Sequence, residues 1–191
     1  MTTDMPFRIL AVCTGNICRS PMVERLLRSG FASMAAGRFE ISSAGTGALV
    51  GSPIDAQVAG LVRVFGGETD KFHARQLDKS VLQGQDLVLT LTREHRSRVV
   101  EMAPSLLRKT FTLREFARLI SPLEGDASLD SPHRWRAILP AAQRNRAMQP
   151  TDASNDDVVD PYRRPDEVYQ QMVRELVPAV HTLVRWENRH R

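Results

Sequence analysis

Cysteine is scarce in this chain of 191 residues: only Cys13 and Cys18 are present. Two thiols exclude the disulfide framework that staples small secreted folds, and two so close together call for a local explanation. Lysine is almost as rare, with Lys71, Lys79 and Lys109 alone among the 26 basic side chains; the rest are arginines, whose planar fork matches carboxylate and phosphate. No apolar run approaches the roughly 20 residues of a membrane-crossing helix. The stretch Met1 to Pro6 lacks the basic and apolar regions of a secretory signal, so a cytoplasmic location without membrane contact is the default. An excess of one charge is also missing: the net charge is +4, too small to argue for nucleic acid. There is no internal repeat. What remains is an ordinary globular composition, 42% hydrophobic and 25% charged. The length fits one domain, 1–191, with room for a long insertion but not a second core.

The hydrophobic pattern alternates between two periods. Phe7 to Cys13 is a short apolar run that fits a buried strand. Thr14-Gly15-Asn16 breaks it with turn formers, and Ser20-Pro21 reads as the cap and first position of a helix extending to about Met34. A strand over Phe39 to Ser43, a Gly-rich loop over Gly45 to Pro53 and a helix over Asp55 to Phe65 follow. Strands at Asp86 to Leu91 and Lys109 to Leu113 alternate with helices at about Thr92 to Met102 and from Arg114 to Ile120. This order predicts an α/β fold: a four-stranded parallel sheet with helices on both faces, three layers in all. Ser121 to Ser131 reads as loop, Pro132 to Met148 as a basic helix interrupted by Pro140, and Gln149 to Asp157 as polar and flexible. From Asp166 a long helix closes the chain.

The chemistry concentrates after the first strand, in Cys13-Thr14-Gly15-Asn16-Ile17-Cys18-Arg19-Ser20-Pro21. A cysteine at the carboxyl end of a strand stands where open α/β sheets place ligands. A short loop running straight into a helix can turn successive amides inward as an anion nest, and the helix N-terminus adds partial positive charge. Arg19 can close the ring with a fork of donors matched to phosphate oxygens. Gly15 and Asn16 tolerate the left-handed backbone such a nest needs. The same positive field favours a thiolate, making Cys13 a nucleophile aimed at phosphorus. The absence of a Gly-Lys-Ser/Thr ending excludes a nucleotide P-loop.

This segment resembles the signature of the low-molecular-weight protein tyrosine phosphatases. Ser43-Ala44-Gly45, His73-Ala74-Arg75-Gln76, Asp86 to Leu89, and Asp160-Pro161-Tyr162 with the helix after it are similar to other segments of that family. The resemblance covers about 7–113 and 158–177. It implies hydrolysis of phosphotyrosine in a protein substrate through a phosphocysteine, with no metal and no cofactor. Cys13 would attack, Arg19 would stabilise the transition state, and Asp160 would protonate the leaving oxygen and then activate water. The loop residues Thr14, Gly15, Asn16, Ile17 and Cys18 would bind the phosphoryl group. Ser20 would hydrogen-bond Cys13, Asn16, Ser43 and His73 would hold the loop, and Tyr162 would stack on an aromatic substrate. His73 reads equally as a purely structural residue. Cys18 would protect Cys13 as a disulfide or pack as a loop cysteine; both readings stand. Within the Asp160 segment, Asp-Pro by itself is also a common turn.

Two departures from the family are visible. The segment at about 114–157 is longer than usual, and Arg163 follows Tyr162. Two alternatives to tyrosine dephosphorylation accompany the resemblance. Arginine phosphatases of this kind carry Thr where this chain has Ile17, an apolar side chain that disfavours a polar contact. Thioredoxin-coupled arsenate reductases need cysteines downstream, and none follows Cys18. A phosphate- or arsenate-binding module without turnover would dispense with the nucleophile or the acid, yet Cys13 and Asp160 are both present. The sequence leaves the oligomeric state open.

Overall fold

The first apolar run becomes strand β1, Phe7–Cys13, within a computed structural model that describes residues 5–191; residues 1–4, the start of the stretch read for a signal, lie outside the described residues. Strands β2 (Phe39–Gly45), β3 (Leu87–Thr90) and β4 (Thr110–Thr112) join it in the order β2-β1-β3-β4, all parallel. Parallel neighbours need crossovers. These are α1 (Arg19–Ala32), then α2 (Ala56–Val64) with the single turn α3 (Lys79–Leu82), then α4 (Arg93–Met102) followed by a 3₁₀ turn at Pro104–Lys109. Four helices complete the chain: α5 (Leu113–Ile120), α6 (Ser131–Met148), α7 (Ala153–Asp156) and α8 (Asp166–His190).

The period-two geometry of β1 sorts its side chains onto two faces. Phe7, Ile9 and Ala11, with Leu87 and Leu89 of β3, enter the larger core, shared with α1, α5, α6 and α8. Leu10, Val12 and Val88 face the other way, onto Leu82, Val99 and Leu106. The three-layer α/β/α reading therefore holds. Between β1 and β3 the chain switches from one side of the sheet to the other, the place where such sheets open a crevice at their carboxyl ends. Cys13 ends β1 at this edge, and the residues after β3 run beside it.

Several boundaries differ from expectation. Helix α1 starts at Arg19, not Pro21, with Cys18 at its cap. Pro21 is tolerated there because first-turn amides have no partner inside the helix, and Ser20 is released from capping for another task. Helix α6 runs on through Pro140; Trp135, Ile138, Leu139 and Ala142 are all buried, and their packing outweighs the lost hydrogen bond. Trp135 sits within 5.4–6.1 Å of the rings of Phe7, Phe31, Phe39, Phe116 and Trp186. Helix α6 is locked to α8 by the fully buried Glu187, which accepts from Arg134 Nη1 (3.2 Å), Trp135 Nε1 (2.8 Å) and Ser131 Oγ (2.6 Å). The stretch read as flexible, Gln149 to Asp157, contains α7 and is tied down. Asp156 receives Arg93 at 2.7 Å and Arg118 at 3.4 Å, and Asp157 Oδ1 accepts from the amide of Arg93 at the start of α4. Among the described residues no helix is long and apolar enough to cross a membrane.

Candidate active site

The loop from Thr14 to Cys18 is held from outside by its carbonyls. Those of Cys13, Thr14, Gly15 and Ile17 accept from the amides of Thr46, Gly47, Leu49 and Asp55 at 2.9–3.0 Å, and that of Cys18 from Met22 at 3.3 Å. With the carbonyls turned outward, the amides face the other way: among the described hydrogen bonds none uses the amides of Gly15 to Cys18 as donor. A row of unpaired N–H groups at a helix N-terminus is an anion nest. Asn16 alone supplies the left-handed turn, at φ 54°, and Gly15 does not need one. The glycine the site does need is Gly45, at the end of β2. A Cβ there would collide with the Thr14 carbonyl oxygen and crowd Asn16.

Asn16, fully buried, is the hub of the side-chain network. Its Nδ2 donates to Ser20 Oγ and Ser43 Oγ, both at 2.9 Å, and its Oδ1 accepts from the amide of Arg75 at 2.8 Å. Ser43 passes its proton on to Glu24 Oε2 at 2.6 Å. Ser20 Oγ, already an acceptor from Asn16, lies 2.9 Å from Cys13 Sγ and 3.5 Å from the Ala44 carbonyl, so its hydroxyl can serve the sulfur. His73 takes no part. Its side chain is exposed, and the segment reaches the loop through Arg75, whose Nε also donates to the Ser43 carbonyl at 2.7 Å. The reason is alternation along 72–75: Phe72 and Ala74 occupy the buried side, which turns His73 outward.

Arg19 is buried and joins the loop to a segment 141 residues away. Its Nη2 donates to Asp160 Oδ2 at 2.7 Å, its Nη1 to the Val158 carbonyl at 3.0 Å, and its Nε is buried with no hydrogen-bond partner. Asp160 is half exposed. Its segment is fixed by Val158 N on the Leu91 carbonyl and Val159 N on Glu175 Oε2, both at 2.8 Å. Cys13, Thr14, Gly15, Ile17, Cys18, Arg19, Gly47, Leu49, Asp160 and Tyr162 enclose a cavity of about 130 Å³. That is room for several water molecules. Larger hollows lie elsewhere on the surface, but among the described residues none of them is lined by a cysteine. The walls contributed by Ile17, Leu49 and Tyr162 are apolar, and the Arg163 guanidinium lies 5.0 Å from the Tyr162 ring centroid.

Both cysteines are free thiols. Burial, reinforced by Asp55, pushes the Cys18 thiol well up, which keeps it neutral. One further residue touches the loop. His95, buried in the first turn of α4, places Nε2 2.9 Å from Thr14 Oγ1 and Nδ1 2.9 Å from Thr92 Oγ1; burial, then the charge of Arg19, lower its pKa to about 4. The sequence did signal its place, since the residues after β3 must emerge at the same sheet edge as Cys13. Among the described residues no cluster of three or more His, Cys, Asp or Glu side chains is placed to hold a metal ion.

A parallel sheet that brings a cysteine, a row of free amides, one buried arginine and one carboxylate to a single cavity at its carboxyl edge defines an α/β protein with an anion-nest site beside a thiol. The chain belongs to the low molecular weight phosphotyrosine protein phosphatase family, whose model matches residues 8–134. Over 101 residues it is 38% identical to the low molecular weight protein-tyrosine-phosphatase Wzb of Escherichia coli (strain K12); the match takes in 53% of this chain and spans 65% of that relative's length. Over 122 residues it is 38% identical to a protein-arginine-phosphatase of Geobacillus stearothermophilus, covering 64% of this chain and 77% of that protein. Its fold is similar to the solved structure of the tyrosine phosphatase Wzb from Escherichia coli K30 in complex with sulphate, at a TM-score of 0.66 and 26% identity, covering 97% of this chain and 99% of that one.

Proposed function

We propose that the protein hydrolyses phosphotyrosine in protein substrates through a phosphocysteine intermediate, the whole chain acting as one cytoplasmic phosphatase domain. The observation that carries this reading is the convergence on one cavity of Cys13 Sγ, the free loop amides, Arg19 and Asp160. Cys13 attacks phosphorus and the bond to the tyrosyl oxygen breaks. Asp160 gives that oxygen a proton, so tyrosine leaves neutral. Water then attacks the phosphocysteine, Asp160 takes its proton, and inorganic phosphate and the free Cys13 are restored. The loop amides and Arg19 meet charge on the phosphoryl oxygens in both steps, and Ser20 stabilises the departing sulfur.

Substrate choice follows from the walls. Ile17, Leu49 and the ring of Tyr162 present apolar surface to a phenyl ring. The likeness to a protein-arginine-phosphatase supports phosphoarginine as the second reading. A panel of phosphopeptides carrying phosphotyrosine, phosphoarginine or phosphoserine, with Cys13→Ser as control, separates them. Phosphotyrosine should turn over fastest and Cys13→Ser should release no phosphate. Faster release from phosphoarginine would overturn the substrate assignment, and turnover surviving Cys13→Ser would overturn the mechanism.

A further inference from the structure

Thr14 is the loop residue whose side chain reaches the cavity while being held from outside the loop. Its hydroxyl meets His95 Nε2 at 2.9 Å. The other ring nitrogen is 2.9 Å from Thr92 Oγ1, and that oxygen also accepts from the backbone amide of His95 at 3.2 Å. Because Thr92 Oγ1 is already an acceptor, its own proton is available to Nδ1. When Thr92 gives that proton to Nδ1, the single proton of a neutral ring sits on Nε2 and is donated to Thr14 Oγ1. Thr14 in turn keeps its hydroxyl proton free for the cavity, adding a side-chain donor to the ring of amides. The opposite tautomer would turn oxygen lone pairs toward a bound anion.

We propose that His95 is a positioning residue of the anion pocket: a neutral imidazole that sets the orientation of the Thr14 hydroxyl from the first turn of α4. The proposal rests on the reading of that cavity as the phosphate site. The lowered pKa agrees with it, since burial and the Arg19 charge keep the ring neutral through the physiological range. The surrounding contacts explain why the orientation is stable. Thr92 caps α4. Asp157 Oδ1 accepts from the amide of Arg93, and Asp156 binds the Arg93 guanidinium. The turn that carries His95 is thereby fastened to residues three and four positions before Asp160, so the phosphate loop and the acid segment share one support.

The test uses the full chain, with inorganic phosphate as probe and its protection of Cys13 from iodoacetamide as readout. This measurement needs no turnover. Losing one neutral hydrogen bond corresponds to about a tenfold weakening. His95→Leu should therefore weaken phosphate protection about tenfold. His95→Gln, which still offers an amide donor to Thr14, should stay within about threefold of wild type. On a Thr14→Val background, His95→Leu should add nothing further. Equal losses for Leu and Gln, or losses that multiply across the Thr14 and His95 pair, would overturn the proposal. Should His95→Leu fail to fold, nitrogen-15 spectra of wild-type imidazoles decide: the Nε2–H tautomer is required, and Nδ1–H would refute it. Wild-type protein that phosphate protects but that releases no phosphate from any phosphopeptide would sink the phosphatase reading alone, with the tautomer and the pair analysis still judging His95.

Discussion

The phosphate loop and helix α6 are both rich in buried polar contacts, but they are assembled in opposite ways. In the loop, Cys13 meets Ser20 seven residues on and Asn16 meets Ser20 four residues on. The loop's own residues form one contiguous string between a strand and a helix. In α6, Arg134 and Trp135 find Glu187 across 53 and 52 residues, and Arg146 finds Glu115 across 31. Nothing near Arg134 in the sequence announces a partner. The first kind of region is specified by spacing and can be read directly. The second is specified by the finished fold, because a buried charge is stable only where tertiary structure delivers its counter-charge.

If the two regions are separate in function as well as in construction, substitutions should divide cleanly. The largest effect falls on chemistry. Cys13→Ser should cut phosphotyrosine turnover roughly a thousandfold or more, a barrier change of about 4 kcal/mol, while leaving the thermal midpoint within a few degrees. Next comes Glu187→Leu, which strands Arg134 and Trp135 Nε1 in the core. Breaking such a pair costs about 3–5 kcal/mol, so the midpoint should fall by roughly 10 °C while kcat of the folded protein stays near wild type. Calorimetry and steady-state kinetics on both variants check the division. A Glu187→Leu protein that keeps its midpoint but loses kcat would break the comparison.

Residue by residue, legibility followed this same split. The order of strands and helices, the sheet's parallel sense and the loop motif all rest on local periodicity, and they were visible. Asn16 showed in the sequence because few side chains accept φ near 54°. Local rules make Ser20 a helix cap, because a serine before proline fits one; its place beside Cys13 follows from the family resemblance, and the folded loop sets the two 2.9 Å apart. His73 and Arg75 lie on the same exposed side of one short segment, and only the fold shows that Arg75, through its amide and Nε, is the one that reaches Asn16 and Ser43. Glu24 is tied to Ser43 across 19 residues and His95 to Thr14 across 81; the strand order gives the edge at which His95 emerges, but neither partner is written in a local pattern. Asp160 is the intermediate case: its dipeptide was legible, but its hydrogen bond to Arg19 depends on Val158, Val159 and α8.

His95 sharpens the comparison, since it is a tertiary contact that serves the locally written loop. Its folded pKa of about 4 lies below the unfolded value of 6.5. The unfolded chain therefore takes up a proton that the folded chain refuses. This contribution to stability is complete above pH 6.5 and declines as pH falls toward 4, by up to roughly 3 kcal/mol. Denaturant unfolding of wild type and His95→Gln across pH 4–7 isolates it, because the carboxylates titrate alike in both. The difference between the two stabilities should shrink in favour of His95→Gln as pH drops. A difference that stays constant over that range would mean that His95 is not held neutral.

The smallest expected effect lies where α6 ends. Arg146 places Nε 2.6 Å and Nη2 2.9 Å from the two carboxylate oxygens of Glu115, donates to the Thr110 carbonyl, and stacks 4.2 Å from the Phe111 ring centroid. Glu115 is also the third residue of α5, where its carboxylate accepts from the Thr112 amide and completes a capping box. One acid thus serves a local motif and a tertiary contact together. Arg146→Lys keeps the charge but loses the fork and the stacking, and should cost about 1 kcal/mol. Thr112→Ala, which removes only the cap, should cost a similar amount. If the two functions of Glu115 are independent, the double variant should lose the sum of the single losses. A smaller combined loss would show that Arg146 holds the Glu115 carboxylate in its capping position, and that even the part of α5 that looks locally specified is completed by α6.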